Sequence, residues 1–166
     1  MSEFVHQRHK PASSLEQPRD LVLAFPALRS RVNLSRIVRL AGCAGIRRLV
    51  TCGSVRLDEK ISRGSEEQLE IETHRSLLPT LKKFKQQGIP LVGLEQASNS
   101  VSLYDFSFPR QVMLVIGHER AGLNGELLEL MDQVVEIPVY GLPMSYNVAT
   151  ATAMAVYEYC RQYPAG

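Results

Sequence analysis

The chain contains no long apolar run. None of its 166 residues lies in a segment approaching the ~20 consecutive apolar residues that a bilayer span requires, so no membrane association is expected. The opening stretch, MSEFVHQRHKPASSLEQPRD, has no apolar h-region, and secretion is not expected either. Cysteine is scarce. Cys43, Cys52 and Cys160 form no CxxC pair, have no metal-ligand spacing and sit among apolar neighbours, which suits reduced core thiols in a cytoplasmic protein. No excess of one charge is present: the net charge of +2 neither demands nor excludes a nucleic-acid partner. Phosphate fingerprints are missing too. There is no GxGxxG after the first apolar run and no GxxxxGK[ST] anywhere. The Gly117–Gly122 segment (GHERAG) has a P-loop's glycine spacing without its Lys and hydroxyl residue, which argues against a nucleoside triphosphatase. His6, His9 and His74 fall in the polar N-terminal stretch or at a polar helix start, so no metal site is expected.

What is present suits one domain with a sizeable core: 45% apolar and 22% charged residues over this length. Residues 1–19 are polar and carry Pro11 and Pro18; a flexible tail is expected there, with the folded domain over 20–166. Arg29, Arg31, Arg36, Arg39, Arg47 and Arg48 crowd one stretch, and Arg8, His9 and Lys10 make the tail basic, while Glu66, Glu67, Glu70 and Glu72 gather elsewhere. That distribution fits a local cationic face for phosphates, although a mixed-charge surface would look similar.

Apolar runs closed by Pro or Gly predict strands over 20–25, 46–52, 89–94, 111–117 and 133–138. Helical spacing predicts helices from an Asn33 cap to about 42–45, over 73–87 with Thr73 as cap, over 124–131, and after residue 147. Residues 54–72 read as a loop with a short helix and 95–110 as a loop. Strands alternating with helices give an α/β domain, its mostly parallel sheet flanked by helices.

In such sheets ligands bind beyond the carboxyl ends of the strands, here the loops 26–33, 53–64, 94–100, 117–123 and 138–145. Asn33, Glu119, Ser145 and Asn147 all lie in or beside these loops. Residues 137–158 read IPVYGLPMSYNVATATAMAVYE, a Pro/Gly-broken loop followed by a helix for which Ser145 or Asn147 is the expected cap. A hydrolase built from Ser145, His118 and Glu119 has the right residue types. It lacks the GxSxG elbow, however, and adjacent His118 and Glu119 would point apart on a loop.

Three segments together resemble a known family. Asn33-Leu34-Ser35-x-x-x-Arg39, Gly117-x-Glu119-x-x-Gly122-Leu123 and Ile137-Pro138-x-x-Gly141-x-x-x-Ser145-Tyr146-Asn147-Val148 are similar to the three motifs of the SpoU (TrmH) branch of the SPOUT methyltransferases, in order and spacing across about residues 20–162. The resemblance implies a SPOUT fold with a C-terminal trefoil knot and a homodimer. It also implies metal-free transfer of a methyl group from S-adenosylmethionine (AdoMet) to a ribose 2′-hydroxyl of tRNA or rRNA. Ser35 and the Thr73-His74-Arg75 segment resemble the tRNA-directed members, so tRNA is the expected substrate and rRNA the second choice.

The same resemblance assigns Asn33, Arg39, Glu119, Ser145 and Asn147 to catalysis, and Leu94, Gly117, Ile137, Leu142 and Tyr146 to a largely backbone-built cofactor cradle. Tyr146 stands where many members carry Leu. A guanidinium is a poor base, so Arg39 is expected to clamp a phosphate and stabilise the developing alkoxide. The RNA would be gripped by the catalytic dimer and the basic tail. A non-catalytic RNA-binding protein on the same scaffold is the alternative.

Overall fold

The computed structural model describes residues 4–8 and 10–166; His9 of the basic tail and residues 1–3 lie outside the described residues. The strands are β1 (Leu21–Phe25), β2 (Arg48–Cys52), β3 (Glu70–His74), β4 (Leu91–Leu94), β5 (Val101–Ser102), β6 (Val112–Ile116) and β7 (Gln133–Glu136). They form one seven-stranded sheet in the order β3-β2-β1-β6-β4-β7-β5, with every pairing parallel. The continuous apolar run VMLVI makes β6 the buried centre. A strand covered on both faces has no need to alternate.

The helices are α1 (Arg31–Ala44), α2 (Glu59–Ser62), α3 (Leu77–Gln86), α4 (Gly125–Leu130) and α5 (Val148–Gln162). The strands' two-residue period sorts the core into two layers. Leu21, Leu23, Phe25, Val112, Leu114 and Ile116 pack with α1 and α5, whereas Ala24, Met113 and Val115 pack with α3 and α4. From β1 the chain works outward through β2 to the β3 edge, and it later returns to insert β6 between β1 and β4. The strand order thus reverses beside β1 and β6, where open α/β sheets leave a ligand crevice.

Several expectations need correction. Asn33 does not cap α1. Ser30 does, its hydroxyl accepting the Asn33 N–H at 3.1 Å, which moves Asn33 into the first turn with its side chain free to act. Residues 70–74 form a strand where a loop to residue 72 and a helix from Thr73 were expected, so α3 begins only at Leu77 after Ser76. As an edge strand with Glu70 and Thr73 exposed, β3 carries no apolar alternation. It is held by backbone pairing to β2 and by the Arg48–Glu72 ion pair. The 95–110 loop likewise contains β5, too short to leave a pattern.

Flexibility does not extend to the end of the expected tail. Glu16 and Gln17 donate their N–H groups to the Ala165 carbonyl, and the Arg19 guanidinium donates to the carbonyls of Ala44 and Tyr163. Among the described residues no helix is long and apolar enough to cross a membrane.

Candidate active site

The site is built at the carboxyl ends of β4, β6 and β7, against the first turns of α1 and α5. After β6 the chain doubles back: His118 N–H donates to the Gly122 carbonyl at 3.1 Å and Gly122 N–H to the His118 carbonyl at 2.9 Å. Glycine at 117 is what permits this. A Cβ there would lie 2.6 Å from the Gly122 carbonyl carbon and 2.7 Å from its Cα, both backbone atoms. Gly122 itself adopts a φ of 61°.

The turn projects Glu119 toward the start of α1. Its Oε1 accepts the Ser30 N–H at 2.9 Å and its Oε2 the Arg29 N–H at 3.1 Å, so the carboxylate sits where a helix leaves backbone donors unpaired. Burial pushes the carboxyl pKa up. The backbone N–H groups of Ser30 and Arg29, the Glu119 N–H and the Asn33 side chain together outweigh that and hold it below the ordinary carboxylate value. Asn33 Oδ1 in turn accepts from Asn147 Nδ2 at 3.2 Å, and Asn147 Oδ1 caps α5 by accepting the N–H groups of Ala149 (2.9 Å) and Thr150 (3.3 Å). Three of the five residues assigned to catalysis thus gather at the starts of α1 and α5: Asn33 and Asn147 are hydrogen-bonded to each other, and Glu119 is held beside them by the Arg29 and Ser30 N–H groups. Ser145 misses the cap and lines the cavity instead.

The cavity measures about 230 Å³ and is walled by Leu94, Gly117, Ile137 and Tyr146, with Glu119 and Ser145 at its edge. Four of the five residues assigned to the cofactor therefore meet here. Leu142 does not: its side chain is 88% exposed at the tip of the 138–146 loop. Arg39 is not brought in either. It is exposed on α1, about 120° around the axis from Asn33, and hydrogen-bonds to none of the described residues. The reason is helical geometry, because a six-residue spacing does not return to the same face.

Two contributors were missed. Glu95, which directly follows β4, lines the cavity and accepts the Leu123 N–H on Oε2 at 2.8 Å. Gln96 Nε2 donates to the Met144 carbonyl at 3.1 Å and so ties the β4 loop to the 138–146 loop. The signal available for both was their position just past a buried strand's carboxyl end. His118 uses Nδ1 to accept the N–H groups of Arg120 and Ala121 and makes no hydrogen bond to Ser145. The nucleophile–base contact a hydrolase requires is therefore not formed. Among the described residues no cluster of three or more His, Cys, Asp or Glu side chains could hold a metal.

A parallel α/β sheet with a backbone-walled cavity at its strand ends, beside an amide–carboxylate network, defines a cofactor-binding α/β enzyme domain. The chain belongs to the SpoU rRNA Methylase family, whose model matches residues 20–157. It is 30% identical over 146 residues to the tRNA (guanosine(18)-2′-O)-methyltransferase of Escherichia coli (strain K12), covering 86% of this chain and 64% of that protein. Its fold is similar to the A. aeolicus TrmH/SpoU tRNA modifying enzyme, with a TM-score of 0.83 and 28% identity over 90% of this chain and 78% of that one. The SpoU methyltransferase AviRb from Streptomyces viridochromogenes, solved in complex with the cofactor AdoMet, gives a TM-score of 0.77 at 28% identity, covering 90% of this chain and 63% of that one. The chain thus spans a little under two thirds of the E. coli and Streptomyces proteins.

Proposed function

We propose that this chain is an AdoMet-dependent RNA methyltransferase acting on a ribose 2′-hydroxyl, with tRNA the preferred substrate and rRNA the second. The observation that carries this reading is the cavity of Leu94, Gly117, Ile137 and Tyr146, which Glu119 and Ser145 also line, with the Asn33–Asn147 hydrogen bond joining the two helix starts next to Glu119. The cavity fits such a cofactor in kind. Apolar walls suit an adenine ring, the close Gly117–Gly122 approach leaves backbone groups as the recognition surface, and carboxylates at the edge suit a cationic ligand.

AdoMet supplies a methyl carbon on a sulfonium, which leaves as a neutral thioether and needs no Lewis acid; the reading is accordingly metal-free. The chain's own task is positioning. Glu119 holds the start of α1 through the Arg29 and Ser30 N–H groups, Asn33 and Asn147 fix one another, and Ser145 offers a hydroxyl at the cavity for the incoming ribose. Exposed Arg39, on a face of α1 turned away from the cavity, is free to clamp an RNA phosphate.

A homodimer and a C-terminal trefoil knot belong to the same reading. The knot is supported by the Gln96–Met144 bond, which lays together the two loops it would interlace. The dimer is supported by the outer side of α5, where Thr150 and Tyr157 are exposed and Ala153 between them is only half-buried. A cytoplasmic location accords with Cys43, Cys52 and Cys160, all free thiols.

Calorimetric titration with AdoMet, followed by titration with tRNA, tests the proposal. Binding of both supports it. RNA binding without AdoMet affinity would make the protein a non-catalytic RNA binder instead.

A further inference from the structure

Glu95 lies outside the three motifs, yet it lines the same cavity. It is fixed there by backbone rather than by counter-charge. Oε2 accepts the Leu123 N–H at 2.8 Å, Oε1 accepts the Gln96 N–H at 3.0 Å, and Oε2 lies so close over Gly122 that a Cβ at that residue would come within 2.2 Å of it. Among the described residues it forms no ion pair with Lys, Arg or His, so its negative charge reaches the cavity uncancelled.

The other charged groups at the cavity do not reverse this. Glu119 adds a second carboxylate, turned toward Arg29 and Ser30. Arg120 is solvent-exposed, and His118, whose Nδ1 accepts the Arg120 and Ala121 N–H groups, turns Nε2 to within 3.6 Å of Glu119 Oε2 and not to Glu95.

We infer that Glu95 selects the sulfonium form of the cofactor over the thioether left after transfer. This rests on the methyltransferase reading above. AdoMet carries an ammonium, a carboxylate and a sulfonium, while S-adenosylhomocysteine has lost the methyl group and with it the sulfonium charge, keeping the ammonium and carboxylate. A fixed carboxylate in a partly dehydrated cavity stabilises the first and is indifferent to the second. Glu95 is thus a positioning residue with two separable roles: its oxygen holds the 117–123 loop through Leu123, and its charge discriminates substrate cofactor from product. Discrimination in this direction favours loading and eases product release.

Titrating the intact protein with AdoMet and with S-adenosylhomocysteine separates these roles. Glu95→Gln keeps an oxygen for the Leu123 N–H and removes the charge, its amide nitrogen replacing the oxygen that accepts the Gln96 N–H. It should weaken AdoMet by about tenfold at low salt, the effect of a unit charge several ångströms away in a partly hydrated site, and leave S-adenosylhomocysteine within about twofold. Glu95→Asp should keep the wild-type preference. In the wild type, raising ionic strength should narrow the difference between the two ligands, a measurement that needs no variant. Equal weakening of both ligands in Glu95→Gln, or a preference in the wild type that salt leaves unchanged, overturns the inference and leaves the enzyme reading standing. A wild-type protein that binds neither ligand overturns both.

Discussion

Asn147 Nδ2 donates to Asn33 Oδ1 at 3.2 Å, joining the first turns of α5 and α1 across 114 positions of sequence. Each amide serves its own helix end and the site at once. Asn147 presents its oxygen to α5 and its nitrogen to Asn33; Asn33, released from capping by Ser30, has its side-chain oxygen free to accept that bond. Fold stability and site geometry are therefore carried by the same side chains, and substitutions can separate the two.

Asn147→Ala removes a cap acceptor and the bond to Asn33 together, and should destabilise the fold by about 1–2 kcal/mol in urea denaturation. Asn147→Asp keeps the cap and should lose less stability, yet it replaces the donor to Asn33 with a second carboxylate near Glu119. Methyl transfer should fall in the Asp variant well below what its stability implies. Parallel loss of activity and stability in both variants would reduce Asn147 to a cap.

Glu119 makes stability depend on acid. Its carboxyl is held below its ordinary value of 4.5 in the folded chain, so its contribution is fully present above that value and is lost as pH falls through the lower, folded pKa. Replacing it by Gln should flatten the acid limb of a stability-versus-pH curve below 4.5 and leave the slope near neutrality unchanged. An unaltered acid limb would show that the bonds to Arg29 and Ser30 do not persist in solution.

Gly117→Ala places a methyl 2.6 Å from the Gly122 backbone, which cannot yield as a side-chain end would. The 117–123 turn must open, costing on the order of 1–3 kcal/mol and deforming the cavity wall. Loss of AdoMet affinity with the circular dichroism spectrum of the fold retained is the expected result; undiminished affinity would place the cofactor elsewhere.

Much of this architecture was legible in the sequence because burial leaves patterns. The apolar runs ending at Phe25, Cys52, Leu94 and Ile116 became strands, and Asn124 and Asn147 cap the helices they precede. Where side chains face solvent the pattern fades. Strand β3 is an edge held by its backbone and by the Arg48–Glu72 pair, so its residues read as a loop. The local rule for Asn33 also competed with a better cap three residues earlier, Ser30, which had no motif to draw attention to it. In the site, Asn33 and Asn147 meet beside Glu119, whereas Glu95 was marked only by its place just past β4, its contact with Leu123 lying 28 residues away in sequence.

Arg39 provides a test of mechanism. As an electrostatic clamp on a phosphate it should tolerate Arg39→Lys with measurable activity, since the charge survives while the planar fork is lost. Abolished activity in the Lys variant, with RNA binding intact, would assign Arg39 a direct part in removing the hydroxyl proton.

The central claim is methyl transfer to a ribose. Incubating the protein with methyl-labelled AdoMet and total tRNA, digesting the RNA and mapping the label tests it most directly. The account predicts label on a ribose 2′-oxygen, resistant to cleavage at that linkage by alkali. Label on a base, or no transfer to tRNA or rRNA by a protein that binds both AdoMet and RNA, would contradict it.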